Sequence, residues 1–140
     1  MNTNELRERL DALFPQLVDE LSQLVAIPSV SSDPSHAADV DRSAEHIRSR
    51  FEALGLDAQI HSVTTPEGVQ GKPAILARSP HIEGAPTVLL YAHHDVQPTG
   101  DLARWHSDPW VTVVKGDRIY GRGTSDDGAG VIVHLGSLSL

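Results

Sequence analysis

The chain has 140 residues and an apolar fraction of 39%, which is enough for one domain with a hydrophobic core. Acidic residues outnumber basic ones by 19 to 11, and the net charge of -8 argues against a surface that binds nucleic acid or anionic membranes. Because the sequence has no cysteine, disulfides and thiolate metal sites are excluded, and any metal must be bound by histidine nitrogen and carboxylate oxygen.

Met1 to Arg9 is polar and charged and lacks the apolar segment of a secretory signal peptide. No later stretch approaches the roughly 20 apolar residues that are needed to span a bilayer. We therefore expect a cytoplasmic protein with neither a membrane partner nor a nucleic-acid partner.

Two amphipathic helices are predicted in the first part of the chain. From Asn4 to Ala26 apolar residues recur at three- and four-residue steps, with Pro15 as a point where the helix kinks or divides. A second helix is predicted from about Val40 to Leu54, with Asp39 or Asp41 as its N-cap.

Three short strand-like runs follow the helices, at Asp57–Val63, Ala74–Ala77 and Thr87–Tyr91. The third run is continuously apolar, which is typical of a central strand that is covered on both faces. Together with the preceding helices, these runs predict an α/β fold. A hairpin within Val111–Tyr120 and an apolar helix that opens at Gly128 complete the predicted elements.

His93 and Asp95 lie directly after the apolar run, where open α/β sheets bind ligands. In extended backbone their side chains point to the same face, whereas His94 points to the other. This arrangement suits a metal-binding histidine whose second nitrogen donates to a supporting carboxylate. The spacing alone fits two polar loop residues at a strand end equally well.

Asp126 and Asp127 form an acidic pair that is flanked by glycines and leads into the last helix. One carboxylate of such a pair can face a cation while the other caps the helix or faces water. Because a carboxylate has two oxygens, a single residue can bridge two metals. The pair also fits a simple helix N-cap.

Three ordered segments carry a resemblance to a known family: YAHHDVQP at 91–98, WHSDPW at 105–110 and IYGRGTSDDGAG at 119–130. Together they resemble the co-catalytic zinc metallopeptidases, which include carnosine-type dipeptidases, carboxypeptidase G, acetylornithine deacetylase and succinyl-diaminopimelate desuccinylase. The first helix, which ends in AIPSVS at 26–31, also looks like the N-terminus of that family. The YxHxDVQP form is more similar to the dipeptidase branch than to the deacylases.

The resemblance implies specific roles for the candidate residues. His93 and Asp126 would be metal ligands, with Asp126 bridging the two metals, and Asp95 would be a catalytic residue that supports His93. The implied cofactor is zinc, with two ions in the complete site and cobalt or manganese as alternatives. The implied fold is a three-layer α/β sandwich with a mixed, mostly parallel central sheet. Gly128 departs from the family pattern, because many relatives carry Lys there.

The implied function is hydrolysis of the amide bond of dipeptides or related small peptides by a metal-activated water. Two alternatives remain: an N-acyl amino acid deacylase of the acetylornithine or succinyl-diaminopimelate type, and a catalytically inactive truncated binding module. Residues 1–140 correspond to the N-terminal part of the catalytic domain. The general base, the remaining ligands and the dimerisation domain of the family have no counterpart in this sequence. We therefore expect the full-length protein to be a homodimeric hydrolase and the 140-residue chain alone to be inactive.

Overall fold

The first helix, α1, spans Thr3–Val25 in the computed structural model, which describes residues 2–140. Asn2 caps it in a reciprocal arrangement, since its side chain accepts the backbone N–H of Glu5 while the Glu5 carboxylate accepts the N–H of Asn2. The helix runs through Pro15 as a single element, so of the two predicted outcomes the division is wrong.

The second helix, α2, spans Ala37–Ala53 and follows a 3₁₀ turn at Pro34–His36. It begins earlier than its apolar pattern predicted, because Pro34 is already fixed in φ for a helical turn. The predicted cap at Asp39 or Asp41 is therefore wrong. Asp39 instead lies in the first turn of α2, where its carboxylate contacts the imidazole of His36.

Two antiparallel strand pairs follow. Strands β1 (Asp57–His61) and β2 (Ala74–Arg78) pair with Asp57 opposite Arg78 and His61 opposite Ala74. Strands β3 (Val113–Lys115) and β4 (Arg118–Tyr120) form the predicted hairpin. Helix α2 packs against β1 and β2, so the first strand pair lies on the helical layer.

The apolar run Thr87–Tyr91 does not form the predicted buried strand. Val88 is 74% exposed and Leu89 is 85% exposed, and no strand among residues 2–140 pairs with this run. A strand needs a neighbour to bond its backbone groups, and apolar side chains alone do not provide one. The described residues thus combine helices with antiparallel strands, and the mostly parallel central sheet is not seen among them.

The last helix, α3, spans Gly128–Ser139 and begins where it was predicted. Its buried face packs against α1, and these two helices with α2 and the strands form one hydrophobic core. The buried core residues are Leu21, Leu24, Val25, Ile47, Val131, Ile132 and Leu135. Within residues 2–140, no helix has both the length and the apolar character required to cross a membrane.

Candidate metal centre

The loop that carries His93 is held by the segment that follows α1. The Ser29 hydroxyl donates to the carbonyl oxygen of His94 at 2.8 Å, and the Val96 N–H donates to the carbonyl oxygen of Ser29 at 3.0 Å. Ser29 is almost completely buried, at 1% exposure. These bonds fix the backbone on both sides of Asp95 against the helical layer.

His93 lies between two aspartates. Its Nε2 is 3.0 Å from Oδ1 of Asp126. Its Nδ1 is 3.0 Å from the carbonyl oxygen of Asp95 and 3.2 Å from Oδ1 of the same residue. The His93 side chain is 40% exposed and that of Asp126 is 77% exposed, so an ion can reach the pair from solvent. The structure therefore brings together the three residues that the sequence singled out.

The two carboxylates of the acidic pair contact different parts of the same histidine. Asp126 faces the imidazole of His93, while Oδ2 of Asp127 accepts the His93 backbone N–H at 3.2 Å. Asp127 occupies the N-cap position of α3 but makes no side-chain capping bond. Asp127 is therefore the N-cap residue by position, but its carboxylate contacts His93, as that of Asp126 does, instead of capping the helix.

Gly123 allows the loop that leads to Asp126 to approach the His93 loop. Its φ of +82° lies in the left-handed region, and a Cβ built on it would stand 2.6 Å from Cγ1 of Val96. The absence of a side chain at Gly123 thus allows both the backbone turn and the close approach of Val96.

His94 points away from the candidate site, as the alternation predicted. Its Nδ1 is 3.1 Å from the Ser43 hydroxyl of α2, and its Nε2 is 3.2 Å from the carbonyl oxygen of Pro73. Ser43 has no exposed surface. His94 thus joins the loop to α2 and to the segment before β2.

The ionisation of the site follows from these contacts. Burial opposes protonation of His93, but the hydrogen bonds to the Asp95 carbonyl and to Asp126 outweigh it, and the pKa of His93 is raised. Burial likewise opposes ionisation of Asp95, but the hydrogen bond from Ser31 and the nearby imidazole of His93 outweigh it, and the pKa of Asp95 is lowered. The site thus favours an ionised Asp95 beside a positive charge.

The potential ligands are of the types that zinc binds, but they are fewer than a zinc site requires. Imidazole nitrogen and carboxylate oxygen are ordinary zinc ligands, and the Nδ1 side of His93 has the acceptors that a ligating histidine requires. Among residues 2–140, however, no group of three or more potential ligands surrounds one point. His93 and Asp126 would therefore be the ligands that residues 2–140 provide to a metal site.

Sequence reasoning missed two residues of this neighbourhood. Ser31 donates its hydroxyl to Oδ2 of Asp95 at 2.5 Å. Its one signal was its place in the AIPSVS segment of the family resemblance. Arg122 lies with its guanidinium carbon 5.2 Å from the centre of the Trp105 ring and donates from Nη2 to the carbonyl of Pro98 at 3.1 Å. No sequence signal pointed to that contact.

Comparison with known proteins agrees with the motifs. Residues 89–139, which include His93, both aspartates of the acidic pair and the whole of α3, match peptidase family M20/M25/M40. The resemblance to the co-catalytic zinc metallopeptidases that the three motifs predicted is thereby confirmed.

Several relatives that match most of the chain are dipeptidases by name. The chain is 34% identical over 125 residues to a cysteinylglycine-S-conjugate dipeptidase of Corynebacterium striatum, which covers 89% of this chain and 26% of the relative. It superimposes on the dipeptidase Dug1p of Saccharomyces cerevisiae with a TM-score of 0.88 at 28% identity, over 97% of this chain and 30% of Dug1p. For human carnosine dipeptidase 1 the TM-score is 0.85 at 27% identity, over the same shares. The chain thus spans between a quarter and a third of these M20 relatives.

Proposed function

We propose that this chain is part of a metal-dependent hydrolase of the M20 family that cleaves the amide bond of dipeptides or related small peptides. The observation that supports it most directly is the facing pair of His93 Nε2 and Asp126 Oδ1, 3.0 Å apart, inside the family-matched segment. Support for the substrate class comes from the dipeptidase names of the relatives that match nearly the whole chain.

The residues of this chain would hold and orient the metal. His93 and Asp126 would be ligands, and Asp95 would hold the imidazole from its Nδ1 side. A zinc ion held there would supply a water of lowered pKa and a positive charge that polarises the scissile carbonyl. Asp127, through the backbone N–H of His93, would keep the ligand loop next to the start of α3.

Two protein ligands are fewer than the three of a typical catalytic zinc site. We therefore expect residues 1–140 on their own to bind zinc weakly and to leave dipeptides intact, and hydrolysis to require ligands beyond those described. Measurable metal-dependent cleavage of a dipeptide by the 140-residue chain would contradict this expectation.

Zinc titration followed by NMR of the histidine side chains tests the ligand assignment. We expect the first additions of zinc to perturb His93, and His93→Ala to abolish that response and weaken binding. His134→Ala is the matched control, since the Nε2 of His134 contacts the carbonyl of Tyr91 instead of a carboxylate. Zinc binding that is equally strong in His93→Ala would refute the proposed ligand.

The substrate class is tested separately on the natural gene product. Turnover of a dipeptide without turnover of an N-acetylated or N-succinylated amino acid supports the proposal. The reverse preference would assign the protein to the deacylases of the family. Absence of hydrolysis together with normal folding would leave the binding-module alternative.

A further inference from the structure

The carboxylate of Asp95 is divided between two partners. Its Oδ2 accepts the Ser31 hydroxyl at 2.5 Å, and its Oδ1 lies 3.2 Å from Nδ1 of His93. The two contacts lie on opposite oxygens of one planar group. A contact that fixes the rotation of this carboxylate therefore also fixes the position of Oδ1 relative to Nδ1 of His93.

Rotation of an aspartate carboxylate about its last bond has a broad, nearly two-fold profile, so the bond itself provides little preference. The Asp95 side chain is 41% exposed, which leaves room for such rotation. Among residues 2–140, the Ser31 hydroxyl is the one side-chain donor that bonds to this carboxylate besides the imidazole it faces. A hydrogen bond to an ionised acceptor is about twice as strong as a neutral one, so this contact is strong enough to select one orientation.

Ser31 is itself held in place by the fold. It follows Ser29 and Val30, both of which are buried, at 1% and 3% exposure. The carbonyl oxygen of Ser29 accepts the Val96 N–H, so a backbone hydrogen bond also joins the segment of Ser31 to the loop of Asp95. The serine hydroxyl is thus presented from a fixed backbone.

We propose that Ser31 is a positioning residue of the metal centre, which orients the Asp95 carboxylate so that the His93 proton stays on Nδ1 and Nε2 stays available to a metal. The proposal rests on the proposed function for the identity of the ligand, but the effect on the imidazole exists without metal. Both acceptors near Nδ1, the carbonyl and Oδ1 of Asp95, favour a proton on that nitrogen, whereas Oδ1 of Asp126, 3.0 Å from Nε2, favours a proton on the other. The tautomer of the metal-free imidazole is therefore set by the balance between the two sides. Loss of the Ser31 bond frees Oδ1 of Asp95 to turn away and removes one of the two acceptors on the Nδ1 side.

The test compares Ser31→Ala with Ser31→Thr, which keeps a hydroxyl, and with Ser49→Ala, which removes an exposed serine hydroxyl of α2 that bonds to the carbonyl of His46. The first readout is the ¹⁵N chemical shifts of the His93 ring in the metal-free chain, at a pH where the imidazole is neutral. We expect Ser31→Ala to shift the tautomer population towards Nε2–H, Ser31→Thr to restore the parent ratio, and Ser49→Ala to leave it unchanged.

The second readout is zinc affinity from titration calorimetry. Outer partners of metal ligands typically affect affinity by about 10–100-fold, and Ser31 acts one step further out, so we expect a loss of about 3–10-fold in Ser31→Ala and recovery in Ser31→Thr. The unfolding midpoint of each variant in urea separates this effect from general loss of stability.

The outcomes are distinguishable. If Ser31→Ala lowers stability but leaves the tautomer ratio as in the parent protein, Ser31 is only a structural anchor and the proposal is overturned. If the tautomer shifts as expected while zinc fails to bind at His93 even in the parent protein, the proposed metal function fails and the orienting effect of Ser31 on the imidazole stands.

Discussion

Glu20 of α1 and Arg50 of α2 form an ion pair that joins two helices across 30 residues of sequence. The Glu20 side chain is 9% exposed, whereas that of Arg50 is 36% exposed. The carboxylate is therefore the more buried partner and depends on the guanidinium for compensation.

Arg50→Ala is expected to lower the free energy of unfolding by about 2–3 kcal/mol, because it leaves the buried carboxylate of Glu20 without its partner while Arg50 itself was partly solvated. Urea denaturation measures the loss. Arg48→Ala is the control on the same helix: its partners Glu45 and Glu52 are largely exposed, so we expect little change. Equal losses in the two variants would show that the pair of Glu20 and Arg50 contributes no more to the free energy of unfolding than an exposed ion pair.

The pH dependence of stability is expected to contain a contribution from His46 of α2. Burial, together with the charge of nearby Arg50, lowers the pKa of the His46 imidazole against the attraction of Glu20. The unfolded chain takes up this proton near pH 6.5, and the folded protein only at lower pH. Stability should therefore decrease as pH falls from about 6.5 towards the folded pKa, and this contribution should level off below it.

Unfolding in urea at a series of pH values checks the His46 prediction, with His46→Gln as the comparison. The variant lacks the titrating group, so its stability should fall less steeply on acidification. Parallel pH profiles for the two proteins would mean that other groups carry the dependence.

Gly128→Ala is expected to destabilise the protein by about 1–3 kcal/mol, because a Cβ there would stand 2.6 Å from the carbonyl oxygen of Gly123, which is rigid backbone. Gly136→Ala, in the same helix, is the matched control. Its Cβ would meet the end of the flexible Leu17 side chain, and the helix gains about 0.5–1 kcal/mol from Gly→Ala, so the net change should be small.

The comparison of Gly128→Ala with Gly136→Ala also tests whether a steric limit explains why this chain has glycine where many relatives carry lysine. If Gly128→Ala were as well tolerated as Gly136→Ala in thermal unfolding, the backbone at the start of α3 would have room for a side chain. The absence of the family's lysine would then have no steric cause.

Leu89→Lys is expected to change the free energy of unfolding by no more than about 0.5 kcal/mol, since the side chain is 85% exposed. Leu135→Ala, at a position that is 6% exposed, is expected to cost about 2–4 kcal/mol. Denaturation of both variants tests which apolar residues form the core of this chain. A large loss in Leu89→Lys would place the run 87–91 in a packed strand, as the sequence alone had predicted.

Local patterns predicted the helices and the hairpin well. The period of α1 and the start of α3 at Gly128 follow from side chains within a few residues of each other. The run Thr87–Tyr91 was predicted wrongly because a strand's burial depends on neighbours that its own residues do not specify. The start of α2 was missed for a smaller reason, since Pro34 began the helical turn ahead of the apolar pattern.

Part of the candidate site could likewise be predicted from the local sequence, and part could not. The two-residue step between His93 and Asp95 predicted that both act on one object, and the structure places their side chains 3.2 Å apart. The contact with Asp126 came from the resemblance, since no rule of spacing joins residues 33 positions apart. The bond from Ser31 and the acceptance of a backbone N–H by Asp127 depend on the packing of separate loops.

The hydrogen-bonded partners of the His93 loop lie far apart in the sequence, and this separation affects the order of folding. Ser29 and His94 are 65 residues apart, and Ser31 and Asp95 are 64 apart, whereas the bonds within α1 span only four. Closing such long loops costs chain entropy that is recovered only when both ends have docked. We therefore expect α1 and α2 to form before the His93 loop is fixed. If the proposed metal binds at His93 and Asp126, it would bind only the chain in which both loops have docked, and it would stabilise the native state only after this last step of folding.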